Sequence, residues 1–103
     1  MQYDDRANGK QIDARVNEEF EVSLPETRTA GYRWVLEKGG QPNLRLLEDT
    51  IAPNTSGVGG TGRHFWRFRA VSAGETELEL DYCRPWETAE PTRTFALKVR
   101  VRP

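Results

Sequence analysis

The chain has 103 residues, of which 30% are charged and 36% are hydrophobic, and its net charge is −1 at pH 7. Acidic and basic residues are interspersed and no run is long and apolar enough to span a bilayer, so we expect neither a nucleic-acid nor a membrane partner. The length predicts one domain, residues 1–103, which we expect to be a monomer.

The N-terminus and the cysteine content bear on the cellular compartment. Residues 1–6 have neither the basic start nor the apolar stretch of a secretory signal peptide. If Met1 is the native start, the sequence predicts a cytoplasmic protein. Cys83 is the only cysteine, so the fold contains no internal disulfide and must be stabilised by packing.

Apolar and polar residues alternate with a period of two in about seven short stretches, which is the pattern of strands with one buried face. The in-phase apolar residues are Ile12, Ala14, Val16; Phe20, Val22, Leu24; Tyr32, Trp34, Leu36; Leu44, Leu46; Trp66, Phe68, Ala70; Leu78, Leu80, Tyr82; Phe95, Leu97, Val99 and Val101. The three-and-four spacing of a helix is not sustained anywhere. The sequence therefore predicts an all-β fold, an immunoglobulin-like antiparallel β-sandwich of about seven strands.

Turn-forming residues separate these stretches. Asn17-Glu18 and Ala73-Gly74-Glu75 are predicted to form tight hairpins, with Gly74 available for a positive φ. Pro25 is predicted to end its strand because proline has no amide hydrogen to donate.

Three longer connections, residues 25–31, 54–62 and 83–91, follow the second, fourth and sixth predicted strands. In a Greek-key sandwich, alternate connections return to the same end of the molecule. We therefore expect these three connections to form one surface.

The first connection contains a candidate binding tip. Thr29 and Ala30 are small, so the tip should be narrow enough to enter a cleft, and Gly31 allows a backbone path closed to other residues. Tyr32 follows, and Trp34 is expected in the core behind the tip. Taken alone, this segment is equally compatible with an ordinary turn.

The second connection is rich in glycine, with Gly57, Gly59, Gly60 and Gly62 in one short run. It is not predicted to bind phosphate, because no Lys-Ser/Thr pair and no helix follow it. Glycine lets the backbone approach another surface closely, although a plain flexible connector would have the same composition.

The third connection begins with Arg84-Pro85-Trp86-Glu87. A Trp held on a turn by the preceding Pro cannot easily fold back into the core, so Trp86 is expected to be exposed and to serve as an interface anchor. The alternative is a Trp packed over the edge of the sandwich. Arg84 is predicted to stack on Trp86, to brace the loop or to be solvated.

In this order and at these spacings, the three segments resemble the inhibitory loops of the chagasin family of cysteine-peptidase inhibitors. The family's Asn-Pro-Thr-Thr-Gly motif, with an aromatic next and Trp two residues later, is matched at Thr29, Gly31, Tyr32 and Trp34. The chain departs from it at Thr27-Arg28, in place of Asn-Pro, and at Ala30, in place of the second Thr. The Gly-x-Gly-Gly motif is matched by Gly57, Gly59 and Gly60, and the Arg-Pro-Trp motif by Arg84, Pro85 and Trp86.

The resemblance implies a reversible, non-covalent inhibitor of papain-like cysteine peptidases that is not itself an enzyme. It places the tip of residues 29–31 over the target's catalytic cysteine, with the other two loops on either side. The implied peptidase-binding residues are Thr29, Ala30, Gly31, Tyr32, Gly57, Gly59, Gly60, Arg84, Pro85 and Trp86.

Other chemistry is poorly supported. Cys83 could act as a nucleophile with His64, the only histidine, as its base, but nothing in the sequence brings the two together. There are too few His and Cys residues for a metal site, and Glu75, Glu77 and Glu79 have the spacing of a solvated strand face. We predict no catalytic residues, no metal and no cofactor.

Two other functions are compatible with the same features. An immunoglobulin-like module that binds carbohydrate or another protein could use Trp86 and Tyr32 as its platforms. A purely structural domain is the third possibility, and in that case changes in the loops would alter stability alone.

Overall fold

A computed structural model describes residues 1–27, 31–52 and 61–103 of the chain. These ranges contain eight strands: β1 Gln2–Tyr3, β2 Gln11–Arg15, β3 Glu19–Thr27, β4 Arg33–Gly39, β5 Leu44–Ala52, β6 Thr61–Ala70, β7 Gly74–Cys83 and β8 Arg93–Arg102. A 3₁₀ turn, Asp5–Ala7, lies between β1 and β2. In the described ranges, no helix has the length and apolarity needed to cross a membrane.

The strands form two four-stranded sheets, in the orders β1-β3-β6-β5 and β2-β8-β7-β4. The prediction of an all-β, immunoglobulin-like sandwich is confirmed. The additional strand is β1, whose two residues are too few for an alternating pattern to be visible in the sequence.

The sequence predicts antiparallel pairing throughout, and this prediction is wrong for two pairs of strands. β1 pairs with β3, and β2 pairs with β8, in parallel. Alternation shows which face of a strand is buried but carries no information about the direction of its neighbour, so this difference could not be read from the pattern.

The two predicted hairpins are wrong, because each of these turns carries the chain from one sheet to the other. Asn17 (φ 79°) lies between β2 and β3, and Gly74 (φ 142°) lies at the start of β7, after β6. Both residues supply the positive φ of a sharp turn. A turn sequence predicts a reversal of direction, but not whether the next strand pairs with the last.

Pro25 does not end its strand, since β3 continues through it to Thr27. On one side of β3 the short strand β1 pairs only with Glu21 and Val22, so no strand of the described residues lies beside Pro25 there. A residue without an amide hydrogen is accommodated where one edge of a strand is open.

The core is made of the inward faces of both sheets. Its buried hydrophobic residues are Ala7, Ala14, Phe20, Val22, Leu24, Trp34, Leu44, Trp66, Phe68, Ala70, Leu78, Leu80, Phe95, Leu97, Val99 and Val101. Leu46, which alternation placed in the core, is 37% exposed. It lies on the edge strand β5, whose pairing with β6 shifts between Leu46 and Glu48.

The strand register brings the three longer connections to one end of the sandwich. Thr27, at the end of β3, is opposite Thr61, at the start of β6, and the end of β5 lies beside the same start. In the other sheet, Arg33, at the start of β4, is opposite Cys83, at the end of β7. The connections therefore leave from the same end of the molecule, as predicted. They follow β3, β5 and β7, which are the second, fourth and sixth predicted strands, because β1 was not predicted.

Candidate functional site

The third connection holds Trp86 out in solvent on a tight turn. The Glu87 amide donates to the Arg84 carbonyl at 3.0 Å, so Pro85 and Trp86 are the two central residues of a β-turn. The Arg84 guanidinium also donates to the Glu87 carboxylate at 3.0 Å, and this hydrogen bond raises the pKa of Arg84. Trp86 is 66% exposed, which confirms the prediction that it is not a core residue.

The ring of Trp86 lies directly over Gly31 of the first connection. Gly31 has a φ of +82°, and a Cβ atom added there would be 2.2 Å from Cη2 of Trp86. This position therefore requires glycine for two reasons, a left-handed backbone and the space taken by the indole. The contact joins the first and third connections into one surface.

A column of stacked side chains continues from this surface into the core. The guanidinium of Arg84 lies 4.6 Å from the ring centre of Tyr32, which stacks on Tyr82 at 5.7 Å. Tyr82 in turn packs against Trp34, with ring centres 5.2 Å apart. Arg84 thus braces the loop, which is one of the three alternatives predicted from the sequence. It stacks on Tyr32 and not on Trp86.

Hydrogen bonds fix both ends of the first connection. The indole Nε1 of Trp34 donates to the Pro25 carbonyl at 2.9 Å, and its backbone amide donates to Oε1 of Glu26 at 2.6 Å. The hydroxyl of Tyr82, on the opposite sheet from β3, donates to the Thr27 carbonyl. Trp34 is buried, as predicted, and acts as the support on which the tip is mounted.

The structure thus brings together five of the predicted binding residues: Gly31, Tyr32, Arg84, Pro85 and Trp86. The other five, Thr29, Ala30, Gly57, Gly59 and Gly60, lie outside the described residues. Their roles remain predictions from the family resemblance.

The burial of two residues near the site, and the contact between them, were not predicted from the sequence. Glu26 and His64 are both buried, with exposures of 2% and 4%, and their side chains contact each other. Each is in phase with the apolar residues of its own strand, Glu26 with Leu24 and His64 with Trp66. A charged or titratable residue at an inward-facing position was the signal that could have identified them.

Cys83 and His64 do not have the surroundings of a nucleophile and its base. Burial, followed by the negative charges of Asp81 and Glu37, raises the pKa of the Cys83 thiol, which favours the unreactive protonated form. Both ring nitrogens of His64 contact carboxylates, those of Glu26 and Asp49. In the described part of the chain, no group of three or more His, Cys, Asp or Glu side chains is arranged to hold a metal ion.

Comparison with known proteins confirms the family resemblance seen in the sequence. The model of the chagasin family of peptidase inhibitors, I42, matches residues 13–99. This chain belongs to the chagasin family. It is 32% identical to amoebiasin-1 of Entamoeba histolytica over 97 residues, covering 92% of this chain and 93% of the relative. It is 35% identical to chagasin of Trypanosoma cruzi over 86 residues, covering 77% of this chain and 76% of the relative.

Solved structures of related inhibitors share the fold. A cysteine protease inhibitor from Entamoeba histolytica superposes with a TM-score of 0.87 at 26% identity, covering 98% of this chain and 94% of that one. This family member is therefore an inhibitor of papain-like cysteine peptidases and not an enzyme, which confirms the predicted function and partner.

Proposed function

We propose that this inhibitor blocks the substrate cleft of its target peptidase reversibly and without a covalent step, using the loop end of the sandwich. The observation that carries the proposal is the pairing of Trp86 and Gly31: a largely exposed indole on a braced turn lies against the base of the first connection. An exposed aromatic of this size, held in place before binding, is typical of an interface anchor.

The described part of the loop end, around Trp86 and Tyr32, is organised before a partner arrives. The Arg84–Glu87 pair closes the turn that carries Trp86, and the Arg84 guanidinium is packed against Tyr32. Side chains that are already ordered lose little conformational freedom on association. This arrangement supports tight binding.

Inhibition by occlusion needs no reactive group on the inhibitor. The first connection would enter the cleft, and the Trp86 turn would lie beside it, so that a substrate peptide has no access to the catalytic cysteine. The chain's own thiol, Cys83, is half-buried on β7, and its raised pKa keeps it protonated. The mechanism is therefore steric and reversible.

Inhibition kinetics with papain test this proposal. With a fluorogenic peptide substrate, the protein should inhibit competitively, activity should return on dilution, and the masses of both proteins should be unchanged after incubation. A trypsin-like serine peptidase serves as the control and should stay active. Full papain activity in the presence of excess protein, or a covalent adduct in the mass spectrum, would overturn the proposal.

A further inference from the structure

Glu26 is a buried carboxylate at the base of the first connection. It is 2% exposed and is the last residue but one of β3. A carboxylate withdrawn from water is costly unless its oxygens accept hydrogen bonds. Because it is buried, Glu26 is not part of the surface that would meet a peptidase. It can affect binding only through the groups that it contacts inside the protein.

The Oε1 atom of Glu26 joins the two strands that flank the first connection. It accepts a hydrogen bond from the backbone amide of Trp34 at 2.6 Å, eight residues further along the chain. Trp34 is the second residue of β4, which is the outermost strand of the other sheet in the described ranges. An amide on the free side of an edge strand has no backbone ladder to donate to. Glu26 supplies the acceptor that this amide needs.

Neighbouring side chains hold this carboxylate in place. Nδ1 of His64 lies 3.1 Å from the same Oε1 atom, and the His64 ring stacks on Trp66 with centres 3.9 Å apart. A single N–H on Nδ1 is enough for the contact, and a neutral imidazole can carry it. The Glu26 and His64 side chains are 0% and 5% exposed, so bulk water has no access to replace the contact.

The backbone ladders do not fix the two ends of the first connection relative to each other. β3 pairs with β6 in one sheet, and β4 pairs with β7 in the other. The relative position of the ends therefore depends on side chains that cross between the sheets. In addition, Arg28 stands where the family motif has proline, so the chain lacks the restraint on φ that proline would give there.

From this placement we infer that Glu26 is a positioning residue for peptidase binding, which fixes the base of the first loop by accepting the Trp34 amide. Without the acceptor, this buried amide would be unpaired, and the loop base would shift until the amide reached water. The loop would have to return to its original position to enter a cleft, so the cost would weaken binding. The inference rests on the proposed function, because it concerns how the same loop is presented.

Two substitutions of Glu26 separate the acceptor from the filled space. Glu26→Gln has almost the same size and keeps one oxygen that can accept the Trp34 amide. Glu26→Leu keeps a buried side chain but removes the acceptor. Val22→Ala is the control for lost stability, because Val22 is a fully buried residue of the same strand without a part in this contact.

Inhibition constants for papain are measured for the wild type and the three variants, at a temperature well below the lowest melting temperature among them. We expect the constant of Glu26→Leu to rise by roughly tenfold, the effect of leaving one buried amide unpaired. Glu26→Gln should stay within about threefold of the wild type. Val22→Ala should melt at a lower temperature and keep the wild-type constant.

Hydrogen exchange of the Trp34 amide, followed by NMR of the free protein, gives a readout that does not depend on papain. Its rate is taken relative to that of the Leu80 amide, which lies on β7 between two strands of the same sheet. The ratio cancels changes in global stability. Exchange at Trp34 should be slow in the wild type and in Glu26→Gln, and at least about tenfold faster in Glu26→Leu.

Wild-type inhibition by Glu26→Leu would overturn the inference, as would inhibition by Glu26→Gln or Val22→Ala as weak as that of Glu26→Leu. An unchanged exchange ratio in Glu26→Leu would do the same. If Glu26→Leu does not fold, weak inhibition by folded Glu26→Gln, or fast exchange of Trp34 in the wild type, would overturn it. If the wild type does not inhibit papain, the proposed function fails, and the exchange of Trp34 still decides whether Glu26 holds the loop base.

Discussion

Gly31 is the residue at which the first and third connections meet. Its positive φ alone would make any other residue unfavourable, by about 1–3 kcal/mol. The indole of Trp86 adds a second constraint, because it occupies the space that a side chain would need. The two constraints can be separated, since Gly9 has nearly the same backbone (φ +78°) with nothing within 4 Å of the Cβ position.

Gly31→Ala and Gly9→Ala should therefore lose similar folding stability but differ in inhibition. Both variants place a side chain on a backbone with positive φ and so introduce the same strain, whereas only Gly31→Ala displaces Trp86. We expect the inhibition constant of Gly31→Ala to rise at least tenfold, or about 1.4 kcal/mol, and that of Gly9→Ala to stay at the wild-type value. Thermal melts and inhibition constants for the pair check this. Equal inhibition by the two variants would show that the Trp86–Gly31 contact plays no part in binding.

Trp86 should matter for binding and hardly at all for folding. Trp86→Ala should weaken inhibition by roughly 2–4 kcal/mol, the range of a buried interfacial Trp, because the exposed ring becomes buried only in the complex. The free energy of unfolding should change by less than about 1 kcal/mol. Val71→Ala is the matched control, since Val71 is also an exposed apolar residue (38%) but follows β6, at the opposite end of the sandwich. Strong destabilisation of Trp86→Ala with unchanged inhibition would contradict this assignment.

At the scale of the elements, β7 is tied to the end of β3 by one side chain. Tyr82 donates its hydroxyl to the Thr27 carbonyl while its ring packs between Tyr32 and Trp34. The strand that carries the third connection is thereby linked to the strand that carries the first. This link is between sheets, where no backbone ladder contributes.

Tyr82→Phe removes the hydroxyl and keeps the ring. We expect a loss of about 1 kcal/mol of unfolding free energy, the usual net value of one hydrogen bond, together with a severalfold weaker inhibition. Tyr3→Phe is the control, because within the described residues the Tyr3 hydroxyl hydrogen-bonds only to the sulfur of Met1, a weak acceptor, at 3.7 Å. Inhibition that weakens equally in both variants would show that the effect is not specific to the link with β3.

The strands were predictable from the sequence, whereas their pairing was not. Period-two alternation located β2 to β8 because a buried face needs an apolar residue at every second position. It could not show that β2 runs parallel to β8, or that the turns at Asn17 and Gly74 cross between sheets. Those features depend on which strands become neighbours in space, and no local pattern encodes that.

For the molecule as a whole, the shared end of the three loops was predictable, but the contacts within it were not. Greek-key connectivity required alternate connections to return together, and the register confirms that they do. The packing of Arg84 on Tyr32 and of Trp86 on Gly31 joins residues far apart in the chain. Glu26 and His64 stood at inward-facing positions, yet their partnership is visible only when β3 and β6 lie side by side.

The central claim is that the loop end of the sandwich is the surface that binds the peptidase. Hydrogen exchange of the backbone amides, measured for the free protein and for its complex with papain, tests it most directly. Protection on binding should appear in residues 31–34 and 84–87, while residues 71–74, at the opposite end, should exchange at their original rates. Protection confined to the opposite end or to the outer sheet faces, with papain still inhibited, would contradict the account.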